Sequence, residues 1–112
     1  MLQQELVWVK LPFSNLQESK IRPAVVVSNN DYNSESGDVV VCAVTSNLEP
    51  KKYGIMISQE SLENGKLPIR SRVRADKILQ IEKSLVIRPF AKLNDKTFDV
   101  LIAEIFKLLK RS

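Results

Sequence analysis

Residues 20–29 read KIRPAVVVSN, and residues 39–47 read VVVCAVTSN. Each contains a short, near-continuous run of small branched apolar residues bounded by turn formers. Such a run reads as a strand buried on both of its faces. The first opens on a guanidinium, Arg22, beside the fixed φ of Pro23. The second closes on two hydroxyls, Thr45 and Ser46.

The flanking sequence carries the same message. ELVWVKL, residues 5–11, alternates and is rich in Val and Trp, which predicts a strand that Pro12 limits. SNLQESK is a polar loop, PAVVVS a strand, and NNDYNSESGD a loop full of turn formers. After the strand VVVCAVTS comes a turn, NLEPKK. YGIMIS is a fourth strand, and Asn64-Gly65 marks a turn within QESLENGKLP. IRSRVRAD, KILQIE and LVIRP read as short strands with almost no spacing. The last segment changes period. From Phe98, Leu101, Ile102, Ile105, Leu108 and Leu109 follow the spacing of one helix face. Asn94 or Asp95 is the expected N-cap, and Lys107, Lys110 and Arg111 suit the negative end of the helix dipole. Val100, Ala103 and Phe106 widen the stripe, so part of it has the character of a partner-facing surface. Short strands closed by one helix argue against a parallel, doubly wound sheet. The expected fold is mostly β: a small antiparallel barrel with a C-terminal helix, built as one domain over residues 1–112.

The chain has one cysteine, Cys42, inside an apolar strand, where it reads as a small buried hydrophobe. No internal disulfide is possible, and a reducing compartment is expected. The first residues, MLQQELVWVK, lack a basic region followed by an apolar run, and no stretch approaches a membrane span. A cytoplasmic location is the expectation. The net charge of +4 is concentrated. Lys66, Arg70, Arg72, Arg74 and Lys77 face only Asp76 between residues 66 and 77, leaving the remainder near neutral. A local basic stripe suits a polyanion; the alternative is an edge strand whose charges block pairing. Arg70, Arg72 and Arg74 recur at period two, which predicts one strand face able to track an RNA backbone. Trp8 is expected in the core or stacked on a base, as is Phe13 at a loop entrance.

The absence of histidine removes Ser-His-Asp and Cys-His machinery and any familiar zinc site. No phosphate-binding glycine loop is present, and no cofactor is expected. The remaining chemistry rests on Arg, Thr, Ser and carboxylates. That set suits RNA, which carries its own nucleophile in the 2′-hydroxyl. Alignment and electrostatic stabilisation then supply much of the rate. Arg binds phosphate bidentately, a Thr or Ser hydroxyl can donate to a phosphoryl oxygen, and a carboxylate such as Asp76 is a better proton acceptor than any Arg.

VWVKLPF, KIRPAVVVSN, VVVCAVTSN and SRVRADKILQIEKS, in that order, resemble the PemK/MazF toxins of bacterial toxin–antitoxin modules. The resemblance covers roughly residues 5–109, and its most specific pieces are Arg-Pro-Ala-Val-Val-Val and the strand ending Val-Thr-Ser. It implies an SH3-like, CcdB/PemK-like barrel and a homodimeric, metal-independent endoribonuclease. Such an enzyme cuts single-stranded mRNA at short motifs, stops translation and is inhibited by a cognate antitoxin. It implies catalytic roles for Arg22 and Thr45, phosphate contact by Ser46, and an acid–base pair in Arg74 and Asp76. Lys20, Ser46, Arg74 and Phe13 are the RNA-contacting candidates. The chain departs from the family in QQEL, where Gly-Asp is usual, and in PFAKL, where Gly often precedes Lys-Leu. In SNLQESK, Glu18 is a loose counterpart of a Glu-Gln pair. Two other functions fit the same fold: a non-enzymatic toxin that binds DNA gyrase, and an inactive RNA-binding relative.

Overall fold

The computed structural model describes residues 1–12 and 19–112. Among them, seven strands form one antiparallel sheet: β1 (Glu5–Pro12), β2 (Ser19–Val26), β3 (Asp38–Thr45), β4 (Gly54–Ile57), β5 (Leu62–Gly65), β6 (Ser71–Glu82) and β7 (Val86–Leu93). Their order is β4-β6-β3-β2-β1-β7-β5, and the sheet curls into a half-barrel. Helix α1 (Asn30–Glu35) joins β2 to β3, and α2 (Asp95–Leu109) follows β7.

The apolar runs within β2 and β3, from Ala24 and from Val39, have a direct cause, because alternate residues enter two different cores. Val25, Cys42 and Val44 join Leu6, Ile57, Leu93, Phe98 and Leu101 beneath α2. Ala24, Val26, Val39 and Val41 join Val7, Val9 and Ile81 on the opposite face. Helix α2 begins where the sequence predicts: the Asn94 side chain accepts a hydrogen bond from the Thr97 N–H at 2.8 Å. Gln4 fastens the first turn, its amide donating to the Leu93 carbonyl at 2.9 Å and to Asp95 at 3.1 Å. Only part of the predicted apolar stripe is covered. Phe98 and Leu101 are buried, while Phe106 and Leu109 are 64% and 70% exposed. No helix of the described residues is long and apolar enough to cross a membrane.

Three local expectations are corrected. The loop expected over residues 29–38 contains α1, capped by Asn29, whose side chain accepts from the Tyr32 N–H at 2.8 Å. IRSRVRAD and KILQIE are not two strands; residues 71–82 run as β6, and Arg70 lies before it. Asn64-Gly65 does not end a segment but completes β5, with Gly65 at φ +84° against Ala91 of β7. Phe13, Glu18 and most of the loop before Arg22 lie outside the described residues. Cys42 is buried, which with the charge of Asp76 pushes its thiol up to about 12. It is a packed, protonated side chain rather than a nucleophile.

Candidate active site

The ladder between β2 and β3 includes Val26↔Val41, Val25↔Cys42 and Ala24↔Ala43. The paired ladder stops there; Arg22 and Thr45 lie two residues beyond it on their strands, and alternation puts each on the face that holds Ala24 and Ala43. Both residues line a single cavity of about 1030 Å³, at the upper end of the range typical of ligand clefts. Arg22 is exposed and Thr45 is half-buried. Pro23 lines the same cavity and pairs across the sheet with Trp8.

The Thr45 hydroxyl is oriented by its own turn. Its Oγ1 accepts from the Asn47 N–H at 3.1 Å, which fixes the oxygen and directs the O–H elsewhere. Asn47 in turn accepts from the Glu49 N–H at 3.0 Å. Ser46, exposed at the strand end, also lines the cavity.

The cavity is strongly cationic. Among the described residues, Lys20, Arg22, Lys51, Arg72, Arg74 and Lys77 line it, against the single carboxylate of Glu82. Low-dielectric walls carrying one sign of charge concentrate the opposite sign. An extended polyanion fits this field better than a neutral ligand does.

Arg74 and Asp76 form a bidentate pair: Nε donates to Oδ1 at 3.2 Å and Nη2 to Oδ2 at 3.1 Å. These hydrogen bonds and the Arg74 charge hold the Asp76 carboxyl below the usual carboxylate range. Arg74 lines the cavity, but Asp76 does not. Of the other sequence candidates, Lys20, Arg22, Thr45 and Ser46 come together in the cavity. Phe13 lies outside the described residues. Trp8 lines the cavity with its ring stacked on Phe90, centroids 4.5 Å apart.

The period-two arginines do not form one uniform ridge. Arg70 is exposed and outside the strand, Arg72 is buried and Arg74 is half-buried. Lys77 of the predicted basic stripe reaches the cavity, whereas Lys51 escapes a sequence reading because it sits among turn residues with no pattern of its own. Among the described residues, no three His, Cys, Asp or Glu side chains gather as a metal-binding group.

A curled antiparallel half-barrel closed by a C-terminal helix is the architecture of the MazF/CcdB-like fold. A family described as the PemK-like, MazF-like toxin of type II toxin–antitoxin systems matches residues 2–109, and the chain belongs to that family. Among curated protein sequences, none matches. The fold is similar to that of an endoribonuclease solved with its cognate antitoxin from a mycobacterial species, at TM-score 0.80 and 18% identity, covering 100% of this chain and 97% of that one. It is similar to MazF in a MazE–MazF crystal from Deinococcus radiodurans, at TM-score 0.82 and 20% identity, covering 100% and 98%. It is also similar to the Mycobacterium tuberculosis toxin MazF-mt6, at TM-score 0.74 and 15% identity, covering 95% and 98%.

Proposed function

We propose that this toxin is an endoribonuclease that cleaves single-stranded RNA by attack of the 2′-hydroxyl on the adjacent phosphorus. The observation that carries the reading is the convergence of Arg22 and the oriented Thr45 hydroxyl on one cationic cavity. In this reading the RNA lies along the cavity and its backbone charge is met by the lining cations. Arg22 neutralises the phosphoryl oxygens as negative charge builds on them, and the Thr45 hydroxyl donates to one of them. Ser46 and Lys20 hold the neighbouring backbone. The 2′-hydroxyl gives up its proton to solvent water and its oxygen forms a bond to phosphorus as the bond to the 5′-oxygen breaks; a proton from water completes the 5′-hydroxyl, leaving a 2′,3′-cyclic phosphate. The donor set supports a metal-independent reaction, since these residues supply charge and hydrogen bonds rather than a metal cage. A cognate antitoxin that covers the cavity, a homodimeric assembly and arrest of translation through mRNA cleavage complete the reading.

Asp76 has a better-supported place as a positioning residue than as the proton acceptor. Both of its oxygens are engaged by Arg74, and its lowered proton affinity makes it a weak base. In wild type its ionised form then persists below the ordinary carboxylate range. Cleavage should stay level as pH falls through that range and drop only through the lowered value. Any stability from the pair follows the same sign: it is present above the unfolded carboxyl's value and lost as pH falls through the folded one. Asp76→Asn is expected to slow cleavage about tenfold, and to add nothing once Arg74 is Ala. A double variant markedly slower than Arg74→Ala would restore Asp76 as the base.

The function is tested with purified protein and a long single-stranded RNA in EDTA, with cut sites mapped by primer extension. Discrete cuts ending in 2′,3′-cyclic phosphate are expected. Intact RNA together with a loss of DNA supercoiling would favour a gyrase-binding toxin instead.

A further inference from the structure

Arg72 is 5% exposed, and its Nε is fully buried with no hydrogen-bond partner among the described residues. Nor does Arg72 form an ion pair among them. Asp76, the acid nearest in sequence, is already held bidentately by Arg74, and the Arg72 charge is the smallest of the influences on its carboxyl. A guanidinium whose Nε is buried without a partner, and which has no close carboxylate among the described residues, costs stability. Such an orphan in a native fold calls for an explanation, and a missing anion is a common one.

The surroundings are built around this side chain. Arg72 lies on β6 directly opposite Thr45 of β3 and opposite Met56 of β4. It packs over Gly54, where an added Cβ would sit 2.9 Å from Arg72 Nη1 and 2.9 Å from the Val73 carbonyl oxygen. The preceding residue, Tyr53, has φ +60°, a left-handed conformation that a bulky residue adopts only at a cost. Glycine thus makes the room, and the β4 edge closes over the arginine. Arg72 also lines the same cavity as Arg22 and Thr45. Cross-strand partners lie about 5 Å apart at Cα, so Arg72 reaches the region that the Thr45 hydroxyl serves.

We infer that Arg72 is a second phosphate-binding guanidinium of the cavity, set beneath Thr45 to take an RNA backbone oxygen beside the one that Arg22 meets. This rests on the ribonuclease reading for the identity of the ligand, but the anion site can be tested apart from it. An anion entering the cavity supplies a close countercharge that the described residues do not. Arg72 is therefore preorganised for phosphate at the expense of the empty fold.

The experiment follows the Arg72 Nε–Hε resonance in ¹⁵N-labelled protein, assigned by its loss in Arg72→Met, a variant that keeps the apolar stem. Inorganic phosphate, against chloride at matched ionic strength, is expected to shift that resonance saturably and to raise the melting temperature of wild type more than that of Arg72→Met. A single-stranded 2′-O-methyl oligoribonucleotide, which cannot be cut, should do the same at lower concentration. Its binding to Arg72→Met should show a salt slope shallower by about 0.7, one phosphate contact fewer on a single strand. Arg72→Met should cut RNA about 10- to 100-fold more slowly, yet melt at or above wild type in the absence of phosphate. A resonance that neither phosphate nor oligonucleotide moves overturns the inference. So does an Arg72→Met that melts well below wild type and cuts normally, since the guanidinium is then structural. A response to phosphate with RNA left uncut by wild type keeps the anion site and removes the ribonuclease reading.

Discussion

Arg22→Ala is expected to lower RNA cleavage about a thousandfold while leaving the fold intact. Loss of one well-placed donor to a developing oxyanion costs about 10²–10³ in rate, and loss of a phosphate-stabilising arginine costs about 10³–10⁵. A thousandfold corresponds to about 4 kcal/mol of transition-state stabilisation. The placement of Arg22 supports a value within that overlap. Its backbone is paired with Val9 of β1, its neighbour Pro23 has a fixed φ, and the next three residues are wholly buried. The strand therefore delivers the guanidinium to the cavity at little cost in ordering. Because Arg22 itself is exposed, its removal should change stability by only about 0.5 kcal/mol.

Arg22→Lys separates charge from shape. The ammonium keeps the charge but loses the planar fork, so an intermediate rate is expected, nearer to Ala than to wild type. The measurement is initial rate on a short fluorescent single-stranded RNA, with a thermal melt of each variant. Arg22→Ala cutting at the wild-type rate would remove this residue from the reaction, and with it the principal support for the proposed function. Other cations line the same cavity, so a small residual rate is compatible with the proposal.

The readable and unreadable parts of this sequence divide along a physical line. The C-terminal half of β2 and most of β3 were legible because both of their faces are buried there, so Ala24–Val26 and Val39–Val44 had to be apolar. The start of α2 was legible because a cap is a local device, complete within Asn94 and Thr97. Helix α1 was not legible, although its cap is equally local. Asn29, Asn30 and Asn33 belong to residue types that favour turns as much as caps. Tertiary contacts favour the helix: Asn33 is buried, donates to the Ser28 carbonyl at 2.9 Å and accepts from the Ser28 hydroxyl. The continuity of β6 was obscured by Asp76 and Lys77, polar residues in mid-strand. A register shift against β3 between Cys42 and Val44 accommodates the extra residues there. At the candidate site, Arg22 stands in mid-strand just before the apolar run of β2, and Thr45 ends β3, where sequence and family resemblance both point. The buried state of Arg72 follows from Gly54, eighteen positions away and on another strand. No period-two pattern can convey that.

Leu101→Ala is expected to destabilise the fold by about 3 kcal/mol. Leu101 is completely buried on α2 and shares a core with Leu6, Val25, Leu93 and Phe98. Truncating such a leucine costs about 2–5 kcal/mol, from lost transfer energy and from the cavity that remains. The sheet forms one wall of that cavity and cannot move in without breaking its ladders, which argues against the low end. The helix forms the other wall, and it relies on few buried anchors, because Phe106 and Leu109 face outward. At about 4 °C per kcal/mol for a domain of this size, the melting temperature should fall by roughly 12 °C. Phe106→Ala supplies the control, with an expected change of about 0.5 kcal/mol or less. The pair of variants separates docking of the helix from its intrinsic helicity, since both remove a large apolar side chain from the same element. If both variants melt alike, the helix is not held by its inner face, and the core assigned beneath it is wrong. If Leu101→Ala alone is weakened but still cuts RNA below its melting temperature, the helix acts as a support for the sheet. The chemistry then resides in the curled sheet, where the cations of β2 and β6 meet the Thr45 hydroxyl at the end of β3.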